Sequence, residues 1–121
     1  MENRYICVKS ISMLNAGVIG AGHLGKIHLK LLNQSSKYNL VGFHDSDQEA
    51  AKKISEEFGY KSFDTVEELI EACDMVDVVT PTLFHFDCAK MVLNAGRHLF
   101  IEKPITKTVE EAEEIRELAK K

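Results

Sequence analysis

Three glycines at fixed spacing, Gly20, Gly22 and Gly25, stand where an apolar run gives way to helical periodicity, and Asp45 follows about 20 residues after the last of them. Backbone free of side chains at the mouth of a helix turns several N–H groups and the helix dipole toward one point, which is a place for an anion. In the turn Gly20-Ala21-Gly22-His23-Leu24-Gly25, the first glycine permits the tight bend. The second lets a diphosphate approach the main chain, and the third lets helix and strand pack closely. Spacing alone is weak, because glycines cluster in many turns; the position between a strand and a helix gives it meaning. A carboxylate at Asp45, ending the second strand, can accept bonds from the ribose hydroxyls of a dinucleotide, each worth about 1.5–3 kcal/mol. The same charge repels a 2′-phosphate, and residues 46–51 contain no Lys or Arg to neutralise one. NAD is therefore expected in preference to NADP. The plainer role for Asp45 is to cap the next helix, although Ser46 and Asp47 can also do that.

Other polar candidates are weaker. His23 lies inside the turn, pointing to solvent or lying over the phosphates. His28 and His44 lack a partner acid at catalytic spacing, and no metal-ligand pattern is present. The cysteines Cys7, Cys73 and Cys88 are odd in number and widely separated, which fits small buried hydrophobes in a reducing cytoplasm. A formal charge of −4, with bases scattered among acids, leaves no footprint for nucleic acid. No apolar run reaches the length of a signal peptide or membrane span.

These groups must be positioned by a repeating frame. The run 13–19 reads as a buried strand, and Leu24, Ile27, His28, Leu31 and Leu32 follow at the intervals of one helix face. The run 40–44 is a second strand. Ala50, Ala51, Ile54 and Phe58 mark a second helix, with Gly59 as its stop. Residues 60–63 suggest a short strand. The sequence Asp64-Thr65-Val66-Glu67 then has the spacing of a capping box with Asp in the capping role. A brief helix follows, carrying Val66, Leu69, Ile70 and Cys73. The almost uninterrupted apolar run 75–80 suits a strand covered on both faces. A helix with Phe86, Ala89, Val92 and Leu93, a strand at 98–101 and a helix with Val109, Ala112, Ile115 and Leu118 complete the order. With 121 residues and 45% hydrophobic content there is material for one core. The alternation specifies an α/β, three-layer, Rossmann-type doubly wound parallel sheet, ending after a fifth strand and its helix. Residues 1–12 are expected as a poorly ordered extension, and 13–121 as the dinucleotide-binding domain.

Two further segments are more specific than the glycines. Val78-Val79-Thr80-Pro81-Thr82-Leu83-Phe84-His85 and Ala95-Gly96-Arg97-His98-Leu99-Phe100-Ile101-Glu102-Lys103-Pro104, downstream of the glycine turn, closely resemble the N-terminal domain of the Gfo/Idh/MocA family, the glucose-fructose oxidoreductase and inositol dehydrogenase group. The likeness runs from about Met13 to the last residue. It implies hydride transfer between a nicotinamide cofactor and a hydroxyl-bearing carbon of a sugar, cyclitol or related polyol. By resemblance, Lys103 is the catalytic-site lysine that hydrogen-bonds the reacting hydroxyl, and Glu102 and Pro104 flank it beside the nicotinamide ribose. Thr80, Pro81 and Thr82 line the dinucleotide, with Thr82 where the family often has Asn. His85 either contacts the cofactor or packs against the loop. Pro104 restricts Lys103 to extended backbone angles and so sets its aim.

The family's members are about three times as long and carry a second domain of open antiparallel sheet, with an Asp and a His for catalysis. The resemblance therefore casts this chain as the cofactor-binding half of a cytoplasmic enzyme, inactive or nearly so alone, with a homo-oligomeric state. The competing reading is a stand-alone NAD-binding module without catalysis. An unpaired edge at 98–101 is expected to promote self-association.

Overall fold

The computed structural model describes residues 13–121, so the segment 1–12 expected as a loose extension lies outside the described residues. Four parallel strands form the sheet: β1 (Leu14–Ile19), β2 (Tyr38–His44), β3 (Met75–Val78) and β4 (His98–Ile101), in the spatial order β2-β1-β3-β4. Five helices connect and extend them: α1 (His23–Gln34), α2 (Gln48–Phe58), α3 (Val66–Glu71), α4 (His85–Asn94) and α5 (Val109–Ala119).

Side chains alternate across a strand, so each face of the sheet receives its own core. On one face Val18 and Phe43 meet Leu29 of α1 and Ala51 and Ile54 of α2. On the other, Ile19, Val76 and Val78 meet Leu69 and Ile70 of α3 and Val92 of α4, with α5 laid against α4. This is the three-layer, doubly wound arrangement that the alternating pattern predicts. β3 is buried along all four residues, as its apolar run requires, but the ladder stops at Val78 rather than at Thr80.

The strand expected at 60–63 is reduced to one parallel bridge between Phe43 and Ser62. Phe43 N–H donates to the Lys61 carbonyl at 2.9 Å, and Phe63 N–H donates to the Phe43 carbonyl at 2.8 Å. The segment can come this close because it crosses Gly42, where φ is +154° and a Cβ would run into the Lys61 carbonyl and the Phe63 ring. Among the described residues the sheet thus has four strands and a bridge in place of five strands.

Helix ends follow local chemistry. Asp47 caps α2 by accepting from Ala50 N–H at 3.1 Å, and Gly59 closes it in the left-handed region at φ +78°. The capping box of α3 lies one residue later than its spacing suggests. Thr65, not Asp64, accepts from Glu68 N–H at 3.1 Å, and its hydroxyl donates to the Glu68 carboxylate at 3.1 Å. Thr65 holds the extended backbone angles of a capping residue, and this brings its Oγ1 to the third helical amide.

α3 lies directly on β1 because Gly17 has no side chain; a Cβ there would stand 2.6 Å from Leu69 Cδ1 and 2.7 Å from Cys73 Sγ. Leu69 is fully buried at this contact. Leu69→Ala is expected to cost about 2–5 kcal/mol through lost transfer energy and a cavity. In urea denaturation this would appear as a lower midpoint at unchanged slope.

Candidate functional site: a cleft at the carboxyl rim of the sheet

The ends of β1, β2 and β3 converge on an open cleft of about 680 Å³. Gly20 leaves β1 with φ +100°, a conformation that L side chains rarely adopt. A Cβ there would also sit 2.8 Å from Thr80 N. One turn later a Cβ on Gly25 would overlap the Gly20 carbonyl, so the first turn of α1 can close onto the strand end only with glycine at that position. Gly22 differs from both. Its missing Cβ would meet no protein atom within 4 Å, and the space it leaves belongs to the cleft.

The amino end of α1 is chemically distinct from those of α2, α3 and α5. Each of these receives a side-chain cap, from Asp47, Thr65 and Thr108, and carries acids in its first turn. α4 lacks a side-chain cap but has Asp87 in its first turn. α1 has neither a capping side chain nor a first-turn acid. Its leading amides and dipole are left for an anion from outside the chain. The residues therefore fit a dinucleotide diphosphate: donors without partners, next to a void where a side chain would stand.

Asp45 forms the neighbouring wall. Its Oδ2 accepts from Ala21 N–H at 2.7 Å and its Oδ1 from Asp47 N–H at 2.8 Å. The carboxylate thereby ties the glycine turn to the end of β2, and its two oxygens have lone pairs left for further donors. Because Asp47 does the capping, Asp45 is released from that plainer role. Ala21 contributes its amide to Asp45 and its methyl to the core, so it shapes the turn from behind.

Of the residues singled out in the sequence, Gly20, Gly22, His23, Leu24, Gly25, Asp45, Thr80 and Pro81 line the cleft. Ala21, Thr82, His85, Glu102, Lys103 and Pro104 lie outside its lining. Thr82 opens the short 3-10 turn Thr82–Phe84 that follows Pro81. His85 is 1% exposed; its Nε2 lies 2.8 Å from the Thr80 carbonyl, and its Nδ1 lies 3.0 Å from those of Pro104 and Ile105. Of its two expected roles, the geometry corresponds to packing against the loop. Lys103 is exposed, and its bond to Pro104 is cis. Sequence reasoning missed His44, Ser46, Phe84 and Cys88 in the cleft wall; the aromatic at Phe84, just past the Thr-Pro pair, was the available signal. Cys88 is half-buried, and burial followed by the Asp87 charge pushes its thiol up. Burial likewise holds Cys73 at about 12, with Asp74 adding to the rise and Arg97 opposing it.

His28 is placed differently from its reading as a histidine without a partner acid. Its Nδ1 lies 2.6 Å from Asp77 Oδ2 and its Nε2 lies 3.3 Å from Glu102 Oε2. The nearer acid stands 49 residues away in sequence, so no spacing rule reaches it.

The family model described as an oxidoreductase family with an NAD-binding Rossmann fold matches residues 14–121. The chain belongs to this family, Gfo/Idh/MocA. It is 39% identical over 100 residues to UDP-N-acetylglucosamine 3-dehydrogenase of Acidithiobacillus ferrooxidans, covering 83% of this chain and 31% of that protein. It is 34% identical over 109 residues to glucose-6-phosphate 3-dehydrogenase of Bacillus subtilis, covering 90% and 31%. The solved structure of the A. ferrooxidans enzyme superposes with a TM-score of 0.84 at 36% identity, over 89% of this chain and 35% of that one. GenD2 from gentamicin A biosynthesis, solved in complex with NAD, does so with a TM-score of 0.84 at 26% identity, over 91% and 32%. The chain thus spans about a third of the length of these relatives. Among the described residues no helix is long and apolar enough to cross a membrane.

Asp77 is 4% exposed and its Oδ1 has no hydrogen-bond partner. Burial raises its carboxyl above the ordinary 3.8; the bond to His28 and the charge of His28 oppose the rise, and Glu102 adds to it. A raised folded pKa means that its contribution to stability is full below the unfolded value and is lost as pH rises through the folded one. Asp77→Asn is therefore expected to gain melting temperature relative to the parent as pH increases from the acid side, measured by paired thermal melts across that range.

Proposed function

We propose that this chain is the cofactor-binding half of an NAD-dependent dehydrogenase that oxidises or reduces a hydroxyl-bearing carbon of a sugar, cyclitol or related polyol. The observation that carries the reading is the uncapped, acid-free amino end of α1 opening onto the void at Gly22, with Asp45 beside it. In this arrangement the amides from Gly22 onward hold the diphosphate, and the remaining lone pairs of Asp45 accept the adenosine ribose hydroxyls. Thr80 and Pro81 border the path toward the nicotinamide. When bound, the nicotinamide supplies hydride transfer. Lys103, following the end of β4, hydrogen-bonds the reacting hydroxyl and favours loss of its proton, as a cation beside a developing alkoxide does.

The choice of NAD over NADP rests on charge. A 2′-phosphate would have to enter beside the Asp45 carboxylate, and residues 46–51 supply no cation. The sugar and cyclitol class is supported by relatives named for dehydrogenation of UDP-N-acetylglucosamine, glucose 6-phosphate and inositol. One relative is named as an NADP enzyme, so family membership alone does not decide the cofactor. Homo-oligomeric assembly and a cytoplasmic setting belong to the same reading.

Calorimetric titration of the chain with NADH and NADPH tests the proposal. NADH should bind at least about tenfold more tightly, a difference of about 1.4 kcal/mol. Asp45→Ala should narrow that ratio, and Gly22→Val should abolish binding of both while leaving the circular dichroism unchanged. Tighter binding of NADPH would overturn the cofactor assignment. Undiminished binding by Gly22→Val would overturn the placement of the diphosphate.

A further inference from the structure

The Glu102-Lys103-Pro104 segment is held from both faces of the sheet by an imidazole. His85, at the start of α4, is fully buried and meets the carbonyls of Pro104 and Ile105. His28, on α1 across the sheet, meets Glu102 at 3.3 Å and Asp77 at 2.6 Å. The two anchors differ in kind. The first joins a buried ring to main-chain carbonyls on both sides, Thr80 at Nε2 and Pro104 and Ile105 at Nδ1, so a neutral His85 donates on one side only. The second is half-exposed at the Glu102 end and consists of three ionisable groups.

Both ring nitrogens of His28 face carboxylate oxygens, whereas a neutral imidazole carries one N–H. The Nδ1 contact to Asp77 is a hydrogen bond, whereas the 3.3 Å contact of Nε2 to Glu102 is an ion pair that requires the protonated ring. With the ring neutral, the hydrogen bond to Asp77 can remain and the attraction to Glu102 is lost. Asp77 comes from β3 and Glu102 from the end of β4, and among the described residues these are the charged groups facing the ring. On α1 itself, the neighbours one turn away are Leu24, Gly25, Leu31 and Leu32, and the edge of the Phe100 ring closes the remaining side. The contact to Glu102 is the longer and more exposed of the two, and so it is the one surrendered.

We propose that His28 is a positioning residue for Lys103: by bridging Asp77 to Glu102 it fixes the residue immediately before the lysine, and loss of the bridge frees Lys103 relative to the cleft. The importance of Lys103 rests on the dehydrogenase reading, but the linkage between His28 and residues 102–103 does not. The main chain of Glu102 is pinned to β3, its N–H donating to the Val78 carbonyl at 3.2 Å, and His28 holds its side chain, so the aim of Lys103 at a substrate hydroxyl depends on proton occupancy in a site outside the cleft through the Glu102 side chain alone.

The test is a pH titration of the isotopically labelled chain by NMR, across the range in which histidines change charge, about pH 5–8. The His28 ring signals and the Glu102 and Lys103 amide signals should move with one midpoint. The order parameter of the Lys103 amide should fall from near ~0.85 toward ~0.6 on the alkaline side. In His28→Gln that movement should vanish and Lys103 should be mobile throughout. Amide signals at 102–103 that stay still while the His28 ring titrates would overturn the proposal, and this needs no variant. NADH titration of the parent chain separates the two readings: linkage without cofactor binding sinks the dehydrogenase assignment alone, and cofactor binding without linkage sinks the positioning role alone.

Discussion

The contact on which the site depends is the approach of α1 to the end of β1, where Gly25 lies against the Gly20 carbonyl without room for a Cβ. That closeness places the leading amides of α1 at the sheet rim, and Gly20 can make the turn because φ +100° costs glycine little. Everything else about the cleft elaborates this geometry. Asp45 secures the bend through the Ala21 amide, β3 delivers Thr80 and Pro81 to the facing wall, and the void at Gly22 stays open. A helix end without cap or first-turn acid would be a net cost in an isolated domain. Here the omission coincides with the open space at Gly22.

Electrostatics divide the molecule into two regimes. At the rim, Asp45 is part-buried and accepts from the Ala21 and Asp47 amides. Beneath α1, Asp77 is buried with one oxygen unmatched, an arrangement whose desolvation cost a hydrophobic residue would avoid. The His28 bridge offsets part of that cost and connects the sheet interior to Glu102. β4, at one edge of the sheet among the described residues, leaves Phe100 exposed, and the lysine-bearing segment begins there. Two imidazoles reaching it from opposite faces provide fixation that this edge strand lacks.

The alternation of periods, the glycine turn, Asp45 and the Thr-Pro pair were all legible in the residues themselves, because each depends on neighbours within a few positions. The strand at 60–63 was not, since Tyr60 and Phe63 suit a strand pattern while the segment meets β2 through a single bridge, between Phe43 and Ser62. The cap of α3 slipped by one residue for a related reason: Asp64 and Thr65 are both competent caps, and backbone angles chose between them. His85 illustrates the opposite case, in which two roles were open and burial against carbonyls matches the packing one.

What the sequence by itself determined was the family, through its Thr-Pro and Glu-Lys-Pro segments, and the parallel α/β order with its glycine turn, because these are written in motifs, local periodicity and residue types with singular backbone properties. Tertiary structure alone decided that His28 faces two acids, that His85 is sealed away from the cleft, and that Asp77 is stranded in the core. The physical reason is distance along the chain. Contacts between residues tens of positions apart exist only after strands β3 and β4 take their places beside β1, and no spacing between letters encodes which side chains that assembly brings face to face.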